Sequence, residues 1–288
     1  MPVSISRDNN PLSNEPPRLK RHRTIYLLPN MFTAAALFAG FYAIVAAIHD
    51  HFEPAAMAVF IAMILDGLDG RVARLTHTES AFGTEFDSLA DMVSFGLAPA
   101  LIMYQWALSD MANLGWVPAK LGWLAAFLYT ACAALRLARF NTQVGSTDKR
   151  FFIGLPSPSA AAIMVGLVWV GSDLEFHGKQ LLWLAFLVTI GTGTLMVSNV
   201  FYYSFKQVDL KGPVPFMTVL TMVLALVLVA LNPPKMLFTG FSIYGLSGPV
   251  MWLLRVRQRA RRRALGLTEP GKKPAGQNHG TKKPDNQP

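Results

Sequence analysis

The chain has 288 residues, 52% of them hydrophobic and 15% charged, with a formal net charge of +9 and a mean hydropathy of +0.34. A soluble globular domain carries about 25% charged residues, so the bulk of this chain falls outside that class and reads as an integral membrane protein. Its single cysteine, Cys132, excludes an intrachain disulfide and a thiolate metal cluster.

In chain order, residues 1–17 are polar and Pro-containing, and are expected to be disordered. No cleavable leader is expected before the first apolar run, which is long enough to span. The segment Pro16-Pro17-Arg18-Leu19-Lys20-Arg21-His22-Arg23 fits either a basic interfacial helix or a merely topogenic patch. Apolar runs of spanning length follow at 31–49, 53–67, 84–107, 118–138, 158–173, 180–199, 213–232 and 235–254. Several end at Pro, Gly or charge clusters, as helices do. The polar residues from about 266 onward are again expected to be disordered. The predicted fold class is all-α, a polytopic membrane bundle of about eight transmembrane helices.

Basic residues mark every second loop. Arg18, Lys20, Arg21 and Arg23 precede the first span, and Arg71 and Arg74 follow the second. Arg136, Arg139, Lys149 and Arg150 follow the fourth, Lys206 and Lys211 the sixth, and the Arg255–Arg263 run the eighth. The intervening loops carry at most one lysine each. By the positive-inside rule both termini and the basic loops face the cytoplasm. The basic excess therefore points to membrane flanks and anionic lipid rather than to nucleic acid.

Against this apolar background, four aspartates lie between positions 66 and 91, where the second span ends and the third begins. Asp66 and Asp69 are three apart, and Asp87 and Asp91 four apart, so each pair shares a helix face. One Asp at bilayer depth costs at least roughly 2.5–3.5 kcal/mol, and four on adjacent helices repel unless something positive lies among them. Divalent cations that prefer oxygen, Mg²⁺ or Mn²⁺, suit such a site, and two together clamp an in-line displacement at phosphorus. The competing readings are helix-end acids neutralised by neighbouring bases, and acids lining a divalent-cation transport pathway. Arg136 and Arg139, three apart on one face near the same edge, suit carboxylate or phosphate binding, or serve only as topogenic charges. Asn141 adds a candidate amide contact. Ser157, between Pro156 and Pro158, donates to a substrate or caps the fifth span. His77 reads as a loop residue, and no Ser-His-Asp triad, Cys-His pair or Walker-type loop stands out in the sequence.

The run Asp66-x2-Asp69-Gly70-x2-Ala73-Arg74-x8-Gly83-x3-Asp87-x3-Asp91 resembles, at every fixed position, the signature of the CDP-alcohol phosphotransferases. Four further runs resemble segments of that family's membrane-spanning bacterial phosphatidylserine synthases. They are Leu28-Pro29-Asn30-x2-Thr33, Arg136-Leu137-Ala138-Arg139-Phe140-Asn141, Phe152-x-Gly154-Leu155-Pro156-Ser157-Pro158, and Leu195-Met196-Val197-Ser198-Asn199 with Phe205-Lys206. The likeness covers about residues 24–255. Ala36 departs from it, standing where many relatives carry Asn, which puts a donor contact there in doubt.

The resemblance implies transfer of a phosphatidyl group from CDP-diacylglycerol to the hydroxyl of L-serine, releasing CMP. Glycerol phosphate, inositol and choline are the other acceptors used within the family. It implies two divalent cations held by Asp66, Asp69, Asp87 and Asp91, with Asp91 also the catalytic base. It implies a donor site at Asn30, Asp66, Asp69, Gly70, Ala73, Arg74 and Gly83, and serine or phosphate contacts at Arg136, Arg139, Asn141 and Ser157. It further implies an inner-membrane location with a cytoplasmic active site, and a homodimer. The corresponding division of the chain is a polar N-terminal segment 1–23, a six-span core 24–211, two additional helices 212–255 and a basic tail 256–288.

Overall fold

The computed structural model describes residues 23–76, 78, 80–142, 151–203 and 216–264. The expected N-terminal interfacial segment before Arg23 and the C-terminal tail lie outside the described residues. Each predicted span corresponds to helix: α1 Arg23–Ile48, α2 Phe52–Thr76, α3 Ala81–Asp91 with α4 Ala98–Trp106, α5 Trp116–Thr142, α6 Ser157–Asp173, α7 Leu182–Val197, α8 Phe216–Leu231 and α9 Pro233–Ala264. Five stretches are long and apolar enough to cross a membrane: Pro29–Ile48, Ala81–Leu114, Trp116–Thr142, Gly178–Val197 and Pro233–Gln258. Of the rest, α2 carries its acids and arginines near one end, while α6 and α8 are 17 and 16 residues long.

Small residues let the helices approach closely. The α1–α2 interface is built from Ala36, Ala39, Ala43, Ala46 and Ala47 against Ala55, Ala56, Ala58 and Ala62, all buried. Without water to drive helices together in lipid, such close backbone approach is what holds a pair. α6 is the most enclosed helix, buried from Ser159 through Trp169. The bulky side chains of α1, including Phe38, Phe41 and Ile48, face outward, as lipid-facing positions should.

Two features depart from a plain helical bundle. A short antiparallel ribbon pairs β1, Phe151–Ile153, with β2, Phe201–Tyr203, and joins the starts of α6 and the end of α7. The turn after β1 needs glycine: Gly154 has φ +83, and a Cβ there would run into the Met196 carbonyl. Between α3 and α4 the backbone widens into a π-helical turn, Met92–Leu97. Its displaced groups are taken up by neighbours: the Tyr129 hydroxyl donates to the Phe95 carbonyl at 3.0 Å, and Ser94 donates to the Ala36 carbonyl at 3.1 Å. Such turns concentrate at functional sites, and this one begins at the residue after Asp91.

The helices alternate in direction, so the end of α2 and the starts of α3 and α6 lie at the same end of the bundle as the ends of α5 and α7. The opposite end carries the ion pairs Lys179–Asp110 at 3.8 Å and Lys235–Asp173 at 3.4 Å. There too the Trp169 indole donates to Glu53 at 3.4 Å.

Candidate active site

The site is assembled at the junction of α2 and α3. Ser80 caps α3, its hydroxyl accepting the Gly83 N–H at 3.0 Å, and the short link turns the chain so that the two helices run antiparallel. Asp66 and Asp69 from α2 thereby meet Asp87 from α3, each offering a carboxylate oxygen within 4.8 Å of the others. Asp69 is buried, at 5% exposure, and is fixed by the Thr33 hydroxyl of α1, which donates to it at 2.7 Å. Three hard oxygen donors at this spacing suit a Mg²⁺- or Mn²⁺-type ion, so the donor set fits a divalent metal.

Asp91 stands one turn deeper than Asp87. Its carboxyl is hydrogen-bonded to that of Asp66 and lies in the field of the Arg136 guanidinium. Two carboxylates at that distance require a proton or a cation between them. Asp91 is therefore the group that links the acid cluster to the α5 side of the site.

A cavity of about 390 Å³ opens beside the cluster, within the range of small-molecule sites. Asn30, Asp69, Gly70, Ala73, Arg74 and Gly83 line it, together with Thr33 and Asp87. Asp66 is not among the lining residues. The two signature glycines differ. At Gly70 a Cβ would project into open space, whereas at Gly83 it would press on Ser80 Oγ at 3.1 Å and Asn30 Oδ1 at 3.2 Å. Gly70 thus leaves room for a ligand, and Gly83 leaves room for the protein's own capping turn. Arg74 folds back along its helix, donating from Nε to the Gly70 carbonyl at 2.8 Å.

The two arginines of α5 part company. Arg136 donates from Nη1 to Ser157 Oγ at 2.6 Å and faces Asp91. Arg139 reaches instead to Asn199 Oδ1 at 3.0 Å, beyond the end of α7. Asn141 donates to Ser88 Oγ at 3.0 Å, which ties the end of α5 to α3. Ser157 does not cap α6: its hydroxyl is engaged with Arg136, and the helix starts after Pro156 without a side-chain cap. Ala36 is buried against the π-helical turn and does not line the cavity, so the missing amide bears on helix packing there.

Sequence reasoning did not single out Thr33, Asn199 or Ser88 as site residues. Thr33 and Asn199 close the runs Leu28–Thr33 and Leu195–Asn199, a signal that was present. Ser88 carries none.

The comparisons agree with this geometry. The profile of the family described as CDP-alcohol phosphatidyltransferase matches residues 26–191. A protein of Helicobacter pylori named CDP-diacylglycerol–serine O-phosphatidyltransferase is 39% identical over 231 residues, covering 80% of this chain and 92% of that relative. Proteins of the same name from Mycobacterium tuberculosis and Bacillus subtilis are 41% identical over 191 residues and 32% identical over 180. They cover 64% and 62% of this chain, and 63% and 92% of the respective relatives. With its three-carboxylate cluster, its neighbouring cavity and its helical membrane bundle, this chain belongs to the CDP-alcohol phosphatidyltransferase family.

Proposed function

We propose that this protein transfers the phosphatidyl group of CDP-diacylglycerol to the hydroxyl of L-serine, giving phosphatidylserine and CMP, at the cytoplasmic face of the inner membrane. The observation that carries the choice of acceptor is Arg136. It stands across Asp91 from the donor cavity, where an acceptor bearing a carboxylate needs a cation. Relatives matched over most of their length carry the corresponding name.

In this reading the nucleotide and diphosphate occupy the cavity beside Asp69, Gly70 and Arg74, and the acyl chains stay in lipid. Asp66, Asp69 and Asp87 would hold two Mg²⁺ or Mn²⁺ ions, with Asp91 near the second. When bound, such ions neutralise the diphosphate and stabilise charge on the departing CMP oxygen. Thr33 holds Asp69 in the orientation the cluster needs. Arg136, steadied by Ser157, receives the serine carboxylate and presents the hydroxyl to Asp91. Asp91 accepts the hydroxyl proton as the oxygen attacks the diacylglycerol-bearing phosphorus. A single in-line displacement suffices, since no separate nucleophile faces the cavity among the described residues. The basic loop pattern supports the cytoplasmic orientation. The homodimer rests on family resemblance and is read from the mass of the protein in detergent.

The test is CMP release from CDP-diacylglycerol with a panel of acceptors. L-serine is expected to support turnover, and glycerol phosphate, inositol and choline are expected to give none above the acceptor-free rate. Turnover with one of these and not with serine would reassign the acceptor. No CMP with any acceptor would leave the acid cluster to a transport role.

A further inference from the structure

The Arg136 guanidinium is approached from a direction outside the family's core. The family profile ends at residue 191, yet α9, which starts at Pro233, is seated on α6 like a core helix. A Cβ at Gly166 of α6 would lie 3.3 Å from Phe238, and one at Gly245 would lie 2.7 Å from Ile163 Cδ1. At Gly248 a Cβ would collide with the Tyr202 ring. Tyr202, on β2, is fully buried and donates to the Gly245 carbonyl at 2.9 Å. Burial pushes its phenol up to about 12, so it stays a donor throughout the physiological range.

This seat fixes the neighbouring side chain, Tyr244. Its ring packs on Tyr202 with centroids 5.5 Å apart, and it lies within electrostatic reach of Arg136. The same ribbon that carries Tyr202 pairs through Phe152 and leads, five residues on, to Ser157, the hydrogen-bond partner of Arg136. The ribbon, the first turn of α6 and the middle of α9 thus form one unit around a single guanidinium. The donor cavity is lined only from α1, α2, α3 and the link between α2 and α3. An anion received by Arg136 is therefore not the nucleotide in that cavity.

We propose that Tyr244 is a positioning residue for the acceptor. Its phenol oxygen and Ser157 together aim the Arg136 guanidinium at the acceptor's carboxylate, so that α9 contributes to selectivity for an amino-acid alcohol. The proposal rests on serine being the acceptor. The phenol oxygen offers lone pairs to the guanidinium, and the ring contact with Tyr202 keeps it in place when the hydroxyl alone is removed.

The experiment compares the full-length wild-type protein with Tyr244→Phe and Tyr202→Phe, measuring CMP release at varied serine and varied CDP-diacylglycerol. Tyr244→Phe is expected to raise the KM for serine about fivefold to tenfold, the scale of one lost polar contact, with the KM for the donor and Tm unchanged. Tyr202→Phe loosens the α9 seat and is the structural control, expected to lower Tm. A Tyr244→Phe serine KM within twofold of wild type, or a parallel rise in both KM values with a fall in Tm, would overturn the positioning role. Wild-type protein that releases no CMP with serine would overturn the acceptor assignment and, with it, this proposal.

Discussion

Asp91→Asn is expected to lower serine-dependent CMP release by about 10²–10⁴-fold, the usual cost of losing a general base, while CDP-diacylglycerol still binds. The amide keeps the size of the side chain and can still hydrogen-bond to Asp66, but it cannot take the serine proton. Position argues for this division of labour. Asp91 lies outside the cluster formed by Asp66, Asp69 and Asp87, does not line the cavity, and faces Arg136. CMP-release rates and calorimetric donor binding on the same purified variant decide it. Near wild-type turnover would remove Asp91 from the proton transfer, and loss of donor binding together with turnover would make it a metal ligand first.

Removal of divalent metal is expected to abolish turnover completely, with activity restored by Mg²⁺ or Mn²⁺. Asp66→Asn and Asp87→Asn are expected to weaken metal and donor binding along with turnover. The reason is electrostatic. Carboxylates within 4.8 Å of one another, one of them on a buried Asp69, repel strongly unless a cation lies among them. Each neutral substitution relieves the repulsion but deletes a ligand. Metal titration into each variant, with CMP release measured in parallel, reads both effects. Full activity after exhaustive chelation, with no metal found in the protein, would end the metal-dependent reading.

The helices were legible because lipid demands long apolar runs, and each of the eight runs became helix. The acid cluster was legible because i, i+3 and i, i+4 spacings place carboxylates on one face whatever the tertiary detail. What spacing could not reveal depends on contacts between distant segments. Thr33 reaches Asp69 only because α1 packs on α2. Arg136 and Arg139, equivalent in the sequence, separate because Ser157 and Asn199 stand on different elements. The three-residue strands were hidden inside short aromatic runs. The π-helical turn was hidden because one extra residue per turn scarcely alters an apolar pattern. Tyr244 gave no signal, since one Tyr in a long apolar span has no periodicity to read.

The central claim is that the serine hydroxyl oxygen attacks the diacylglycerol-bearing phosphorus directly. Wild-type protein supplied with CDP-diacylglycerol and L-serine carrying ¹⁸O in its hydroxyl measures this by mass spectrometry of both products. The label is predicted in the phosphodiester of phosphatidylserine, with unlabelled CMP. Label in the nucleotide product, or phosphatidylserine without label, would place the attack at another phosphorus or on another atom and contradict the account.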